Sequence, residues 1–138
     1  MENQEIVNSI PTIIFSNYWL AKKLIEKNNI GKIYSISLSN PKGFEELEKV
    51  RCFCPNWKIL TQYKEDKDWD KYTNDFIELV KENRKEIRQW IESLGNGDYY
   101  LCCWENTVNG AKCHRKILFE LLSNSATMRG KAIYQYLD

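Results

Sequence analysis

Residues 10 to 38 narrow the choice of fold more than any other part of this chain. The β-branched run Ile10-Pro-Thr-Ile-Ile-Phe15 reads as a strand, with Pro11 tolerated near its start. Ser16 and Asn17 supply a helix cap, and Trp19, Leu20, Leu24 and Ile25 keep helical spacing until Asn28-Asn29 and Gly31 end the element. Lys32 to Leu38 then alternates Ile33, Ser35 and Ser37 with Tyr34, Ile36 and Leu38, which is a second strand. Strand, helix and strand within about 30 residues make a βαβ unit, whose crossover places the two strands parallel. The expectation is a single three-layer α/β domain over residues 1–138, with a mainly parallel sheet that includes residues 10 to 15, 32 to 38 and 98 to 103. The alternative is an α+β domain whose last segment pairs antiparallel.

The third strand opens the stretch richest in reactive groups. Asp98-Tyr-Tyr-Leu-Cys-Cys103 is an apolar, aromatic run after the Gly95-Asn-Gly97 breaker. Trp104 to Lys112 holds the turn residues Asn106, Asn109 and Gly110. From Cys113 onward, Ile117, Leu118, Leu121 and Leu122 recur at helical spacing, so Cys113, His114 and Arg115 fall at a helix start. Unpaired N–H groups and the positive dipole end there favour an anion or a thiolate. Ligands of parallel sheets gather at the carboxyl ends of strands. Those ends carry Ser16 and Asn17, then Ser39, Asn40 and Lys42, then Trp104 and Glu105.

Elsewhere the pattern is plainer. Phe44 to Val50 suggests a helical turn, and residues 51–63 an irregular connection with a strand-like patch at Lys58 to Leu60. Asp68 caps a long amphipathic helix whose stripe runs through Trp69, Tyr72, Phe76, Leu79, Val80, Ile87, Trp90, Ile91 and Leu94, with a break marked by Asn83 and Arg84 and an end at Gly95. Ala132 to Leu137 is an edge strand or a terminal helix.

Composition excludes some classes. With 43% hydrophobic and 28% charged residues the chain is neither a disordered tail nor a membrane protein. Its apolar runs are far shorter than the roughly 20 residues of a transmembrane helix. MENQEIVNSIP lacks the form of a signal peptide, which points to the cytoplasm. Five clustered cysteines, an odd number, imply free thiols rather than a disulfide framework. A net charge of +1 makes nucleic acid an unlikely partner on charge alone. Abundant Lys and Asn hint at an AT-rich genome such as that of a mobile element or virus.

Leu101-Cys102-Cys103-Trp104-Glu105, a short loop, and Cys113-His114-Arg115 opening a Leu-rich helix resemble the "domain of unknown function 488" family. Its pattern is an apolar strand ending Cys-aromatic-Glu, followed by Cys-His-Arg. Weaker echoes are Pro41-Lys-Gly-Phe44, Cys54-Pro55, and Tyr63-Lys64 with Trp69-Asp-Lys-Tyr72. The resemblance implies an α/β fold with these residues clustered, and makes Cys103 the motif cysteine. It supplies no activity.

Each candidate has a bland reading beside the chemical one. Cys103 is either a small buried apolar residue or a nucleophile, as is Cys113, whereas burial is the better reading of Cys102. Glu105 is a solvated loop residue, or the general base or ribose-hydroxyl acceptor of a site. His114, the single histidine, is an ordinary hydrogen-bonded side chain or the acid-base group. Arg115 either pairs with Glu105 or grips a phosphate or carboxylate bidentately. Lys42 is solvated or a second anion contact. Cys103, Cys113 and His114 with Cys52 or Cys54 would make up a zinc ligand set, but the spacing is poor for structural zinc knuckles, so no metal and no cofactor are expected. Trp104 is placed to stack a base, while Trp19, Trp69 and Trp90 belong to the core. The resulting expectation is binding, or turnover, of a small anionic ligand of nucleotide type, with catalytic candidates Cys103, Glu105, Cys113 and His114. The rival is an interaction module for protein or nucleic acid; self-association leaves little trace in one sequence.

Overall fold

The unbroken apolar run Ile13-Ile14-Phe15 within Thr12–Asn17 sets the layout, because it gives the central strand two buried faces. The computed structural model describes residues 10–104 and 112–138. Strand β1 (Thr12–Asn17) is followed by helix α1 (Tyr18–Asn28), β2 (Lys32–Ser35), a short 3-10 turn (Arg51–Phe53), α2 (Trp57–Asp66), α3 (Trp69–Glu82), α4 (Arg84–Glu92), β3 (Asp98–Cys103), α5 (His114–Asn124) and β4 (Ile133–Tyr136). The four strands form one parallel sheet in the order β2-β3-β1-β4.

Ile13 and Phe15 of β1, with Leu101 and Cys103 of β3, face a core built from α3, α4 and α5 through Phe76, Ile87, Ile91, Leu118 and Leu122. Ile14, Tyr100 and Cys102 face the other way, against Tyr18 and Ala21 of α1 and against Phe44. Helices therefore cover both sheet faces, the three-layer α/β arrangement. The α+β alternative is overturned by β4, which is an edge strand running parallel to β1.

The expected βαβ unit is present with β3 inserted between its strands, in register from Thr12↔Asp98 to Asn17↔Cys103. The first strand starts later than expected and takes in Ser16 and Asn17, since both continue that ladder. Asn17 still caps α1, accepting the Leu20 N–H at 2.9 Å. Gly31 has φ of 119°, and a Cβ there would lie 3.0 Å from the Tyr100 ring, so glycine lets β2 begin where it does.

The stretch from 57 onward was expected to be irregular and is instead α2. Asn56 accepts the Ile59 N–H at 2.8 Å, an N-cap whose signal follows directly on Pro55. The predicted break in the long helix falls at Asn83, where φ −94° and ψ 7° separate α3 from α4. Among the described residues no helix is long and apolar enough to cross a membrane. Replacing Asn56 by Ala should lower stability by about 1 kcal/mol, and by Gly only a few tenths, in a urea unfolding curve.

Candidate functional site

The end of β3 and the start of α5 converge under the carboxyl edge of the sheet. Cys103 is the last residue of β3 and Cys113 is the N-cap of α5, and their sulfurs are joined in a disulfide, with Cα atoms 7.6 Å apart. Free thiols had been expected throughout; that holds for Cys52, Cys54 and Cys102 and fails for this pair. Sequence counting cannot see that a strand end and a helix cap meet. Burial pushes the free thiols up, Cys54 to about 11 and Cys52 to about 12, so they are inert at neutral pH.

Arg115 is fully buried, despite its charge. Its Nη1 donates to the Cys103 sulfur at 2.9 Å, its Nη2 pairs with the Asp138 carboxylate, and its guanidinium lies 5.6 Å from the Tyr136 ring. Asn17 donates to the same carboxylate oxygen at 3.4 Å. The partner weighed from the sequence was Glu105, which lies outside the described residues together with Asn106, Asn109 and Gly110. Among the described residues the carboxylate that meets Arg115 is Asp138.

His114 is held on three sides. Its Nε2 lies 2.8 Å from the Ile36 carbonyl, which can only accept, so this nitrogen carries the proton. Nδ1 is left as the lone-pair atom, 3.7 Å from the Cys113 sulfur. The Phe76 ring meets the imidazole edge-on at 5.2 Å. Burial first, and the Arg115 charge after it, bring the imidazole down to about 4. It is neutral at physiological pH.

Beside this cluster lies a cleft of about 180 Å³, at the ends of β2 and β3. One wall is the loop after β2, with Ser37, Leu38 and Ser39. The opposite wall is aromatic: Trp57 and Tyr63 from α2, Trp69 and Tyr72 from α3. Trp69 and Tyr72 stack at 4.7 Å, and Tyr63 packs edge-on against both. Cys103, Trp104 and His114 reach it from the sheet side, and Lys64 and Lys112 supply positive charge. Lys112 Nζ stands 5.8 Å from the Trp69 ring. Trp104 donates through Nε1 to the Ser39 carbonyl at 2.7 Å and rests edge-on against Trp19.

The β2 loop is fixed from beneath. Tyr18, fully buried, shares its hydroxyl with Ser35 at 2.8 Å and with Ser37. Ser35 also donates to Asn40 Oδ1 at 2.6 Å, and Asn40 Nδ2 donates to the Phe44 and Leu47 carbonyls.

Of the residues singled out from the sequence, Ser39, Cys103, Trp104 and His114 line the cleft, with Cys113 bonded behind them. Ser16 and Asn17 are buried beneath, Asn40 is occupied in its loop, and Lys42 is exposed away from the cleft. Arg115 lies under the site rather than in it. Lys64, Lys112 and the α2–α3 aromatics were missed. Trp69 had been assigned to the core because it sits on a helical stripe. The cap at Asn56 was the signal that could have revealed the aromatic wall.

The family model described as "Active DUF488-N3 subclade" matches residues 18–126. The chain belongs to this family. No curated protein and no solved structure matches the chain. In the DUF488-N3 chain the matched span holds the Cys-Trp and Cys-His-Arg residues of the cluster, whereas β1, β4 and Asp138 lie outside it.

Two outcomes test this geometry. In the DUF488-N3 chain Arg115→Ala should cost roughly 3–5 kcal/mol in a denaturant melt, because it strands the buried Asp138 carboxylate, and Asp138→Asn should recover part of the loss. For His114 the folded pKa lies below the ordinary value of about 6.5, so between that pH and about 4 only the unfolded chain takes up the proton. Stability should therefore fall by on the order of 3 kcal/mol as pH drops through this window. His114→Gln should flatten that stretch of the pH–stability curve.

Proposed function

We propose that the protein binds a small anionic ligand of the nucleotide class in the cleft at the ends of β2 and β3. The supporting observation is the pairing of an aromatic wall with two lysines over a polar loop. A planar base can stack on Trp69, Trp57 or Trp104, a contact worth about 1–3 kcal/mol per base. Lys64 and Lys112 suit phosphate oxygens. Rings and cations in one cleft are what a nucleotide needs and what neither a bare sugar nor a bare phosphate uses in full.

In this reading the anion is held by Lys64 and Lys112, and Arg115 keeps the Cys103 end of β3 in place. A cytoplasmic, reducing setting belongs to the same proposal, and there Cys103 and Cys113 would stand as a dithiol at the cleft floor. Turnover would draw on that floor, where Cys103, Cys113 and His114 meet.

The rival, a protein-interaction module, draws support from a second cleft of about 460 Å³ between α3, α4 and α5. Its apolar floor of Val80, Ile87, Leu122 and Met128 is rimmed by Lys81, Arg84, Lys85 and Arg88. Basic rims over apolar floors suit an acidic amphipathic segment.

Isothermal titration with mono- and dinucleotides, nucleosides and inorganic phosphate separates the two. A nucleotide should bind more tightly than either its nucleoside or phosphate, and at 100 times its dissociation constant should stabilise the fold by about 2.7 kcal/mol. Trp57→Ala and Lys112→Gln, both exposed, should each weaken it by about tenfold without altering the melt. If no member of the panel binds, the nucleotide reading fails and the interaction module takes its place.

A further inference from the structure

We infer that the reduced protein binds one zinc ion through Cys103 Sγ, Cys113 Sγ and His114 Nδ1, with the fourth coordination position open to the cleft. These three ligand atoms lie within 4.8 Å of one another, and all three residues are buried. In a tetrahedral site with Zn–S near 2.3 Å and Zn–N near 2.05 Å, a sulfur and a nitrogen stand about 3.5 Å apart. Cys113 Sγ and His114 Nδ1 are separated by 3.7 Å. Two tetrahedral sulfurs would stand about 3.8 Å apart. The 7.6 Å between the Cys103 and Cys113 Cα atoms is wider than the roughly 4.4–6.8 Å usual for a disulfide and leaves room for that spacing.

The surroundings are those of a ligand set rather than of a chance cluster. A metal-binding imidazole commonly donates its other nitrogen to a carbonyl or carboxylate, which fixes the ring and its tautomer. His114 does this through Nε2 to the Ile36 carbonyl, leaving Nδ1 facing the sulfurs. The Arg115 Nη1 donor at 2.9 Å from the Cys103 sulfur is the outer contact that a ligating thiolate takes. Charge also balances: two thiolates neutralise the ion, and Asp138 neutralises Arg115.

Zinc had been set aside on sequence spacing, with Cys52 or Cys54 as the fourth ligand. Cys54 Sγ instead lies against the Ser37 and Val50 carbonyls. Among the described residues no further Cys, His, Asp or Glu joins the three. Three protein ligands with an open position is the catalytic rather than the structural zinc pattern, and soft thiolates with imidazole select zinc over magnesium or calcium. Cys103 and His114 line the cleft, so a water or a ligand atom there can complete the tetrahedron.

The disulfide and the ion exclude each other. An external thiol reductant supplies the two electrons and two protons that convert the Cys103–Cys113 bond to two thiols, itself becoming a disulfide. Zinc then displaces the two thiol protons. The inference stands apart from the nucleotide reading, because metal uptake is measured with no nucleotide present.

The test is titration of the full chain, reduced and kept free of oxygen, with cobalt(II) and then zinc. Expected are one equivalent bound per chain, the visible bands of tetrahedral cobalt with a thiolate charge-transfer band, and displacement of cobalt by zinc. Cys103→Ser and Cys113→Ser should each lower zinc affinity at least 100-fold, and His114→Gln should weaken binding and shift the cobalt bands. Cys102→Ser, one position away on the opposite sheet face, should change nothing. Diamide-oxidised protein should take up no metal. If the reduced, folded chain binds no cobalt, or binds it without the thiolate band, or if Cys102→Ser matters as much as Cys103→Ser, the site does not exist.

Discussion

Arg115 is the contact on which the carboxyl end of the sheet depends. A guanidinium with no exposed surface holds the sulfur at the end of β3 with one nitrogen and the Asp138 carboxylate beyond β4 with another. One side chain in the first turn of α5 thereby pins a helix, the central part of the sheet and the chain beyond its edge strand. A charge this deep is tolerable because the Asp138 carboxylate, its side chain only 6% exposed, lies against it, and removing either leaves the other without its countercharge. The residue that looks most like an anion grip is thus committed to architecture, and the lysines around the cleft are what the proposed function has to rely on.

The cleft joins two kinds of support. Its polar wall, the loop after β2, is fixed by hydroxyl and amide groups that leave little freedom: Tyr18 and Asn40 reach Ser35 from opposite sides and Ser37 shares the same network. Its aromatic wall rests on two capped helices, with Asn56 and Asp68 each closing a first turn. The rings lie on regular structure rather than on loose loops, which suits recognition of a rigid planar group.

The sequence made the sheet and the reactive cluster legible for the same reason: both depend on local pattern. A β-branched run, a helical spacing and an alternating stretch within residues 10–38 gave away two strands and the helix between them, and the Leu-rich run after Cys113 located a helix start. What it hid was set by distance along the chain. Asp138 lies 23 residues from Arg115 and carries no motif. The juxtaposition of Cys103 with Cys113 depends on where a strand and a helix come to rest. The aromatic wall was lost through two local readings: the missed cap at Asn56 turned α2 into a loop, and the helical stripe of α3 sent Trp69 to the core.

The sheet order carries a cost in time. Strand β1 sits between β3 and β4, both of which follow it in the chain, and the partner of Thr12 in β3 comes roughly 85 residues later. At a synthesis rate of about 5–20 residues per second, Ile13, Ile14 and Phe15 leave the ribosome several seconds before anything exists to pair with them. Until then α1 can shield only one face of that strand, while its other apolar face and both of its ladder edges wait for partners. The last strand to be made, β4, is also the one beyond which Asp138 meets Arg115, so the buried ion pair has to wait for the end of synthesis.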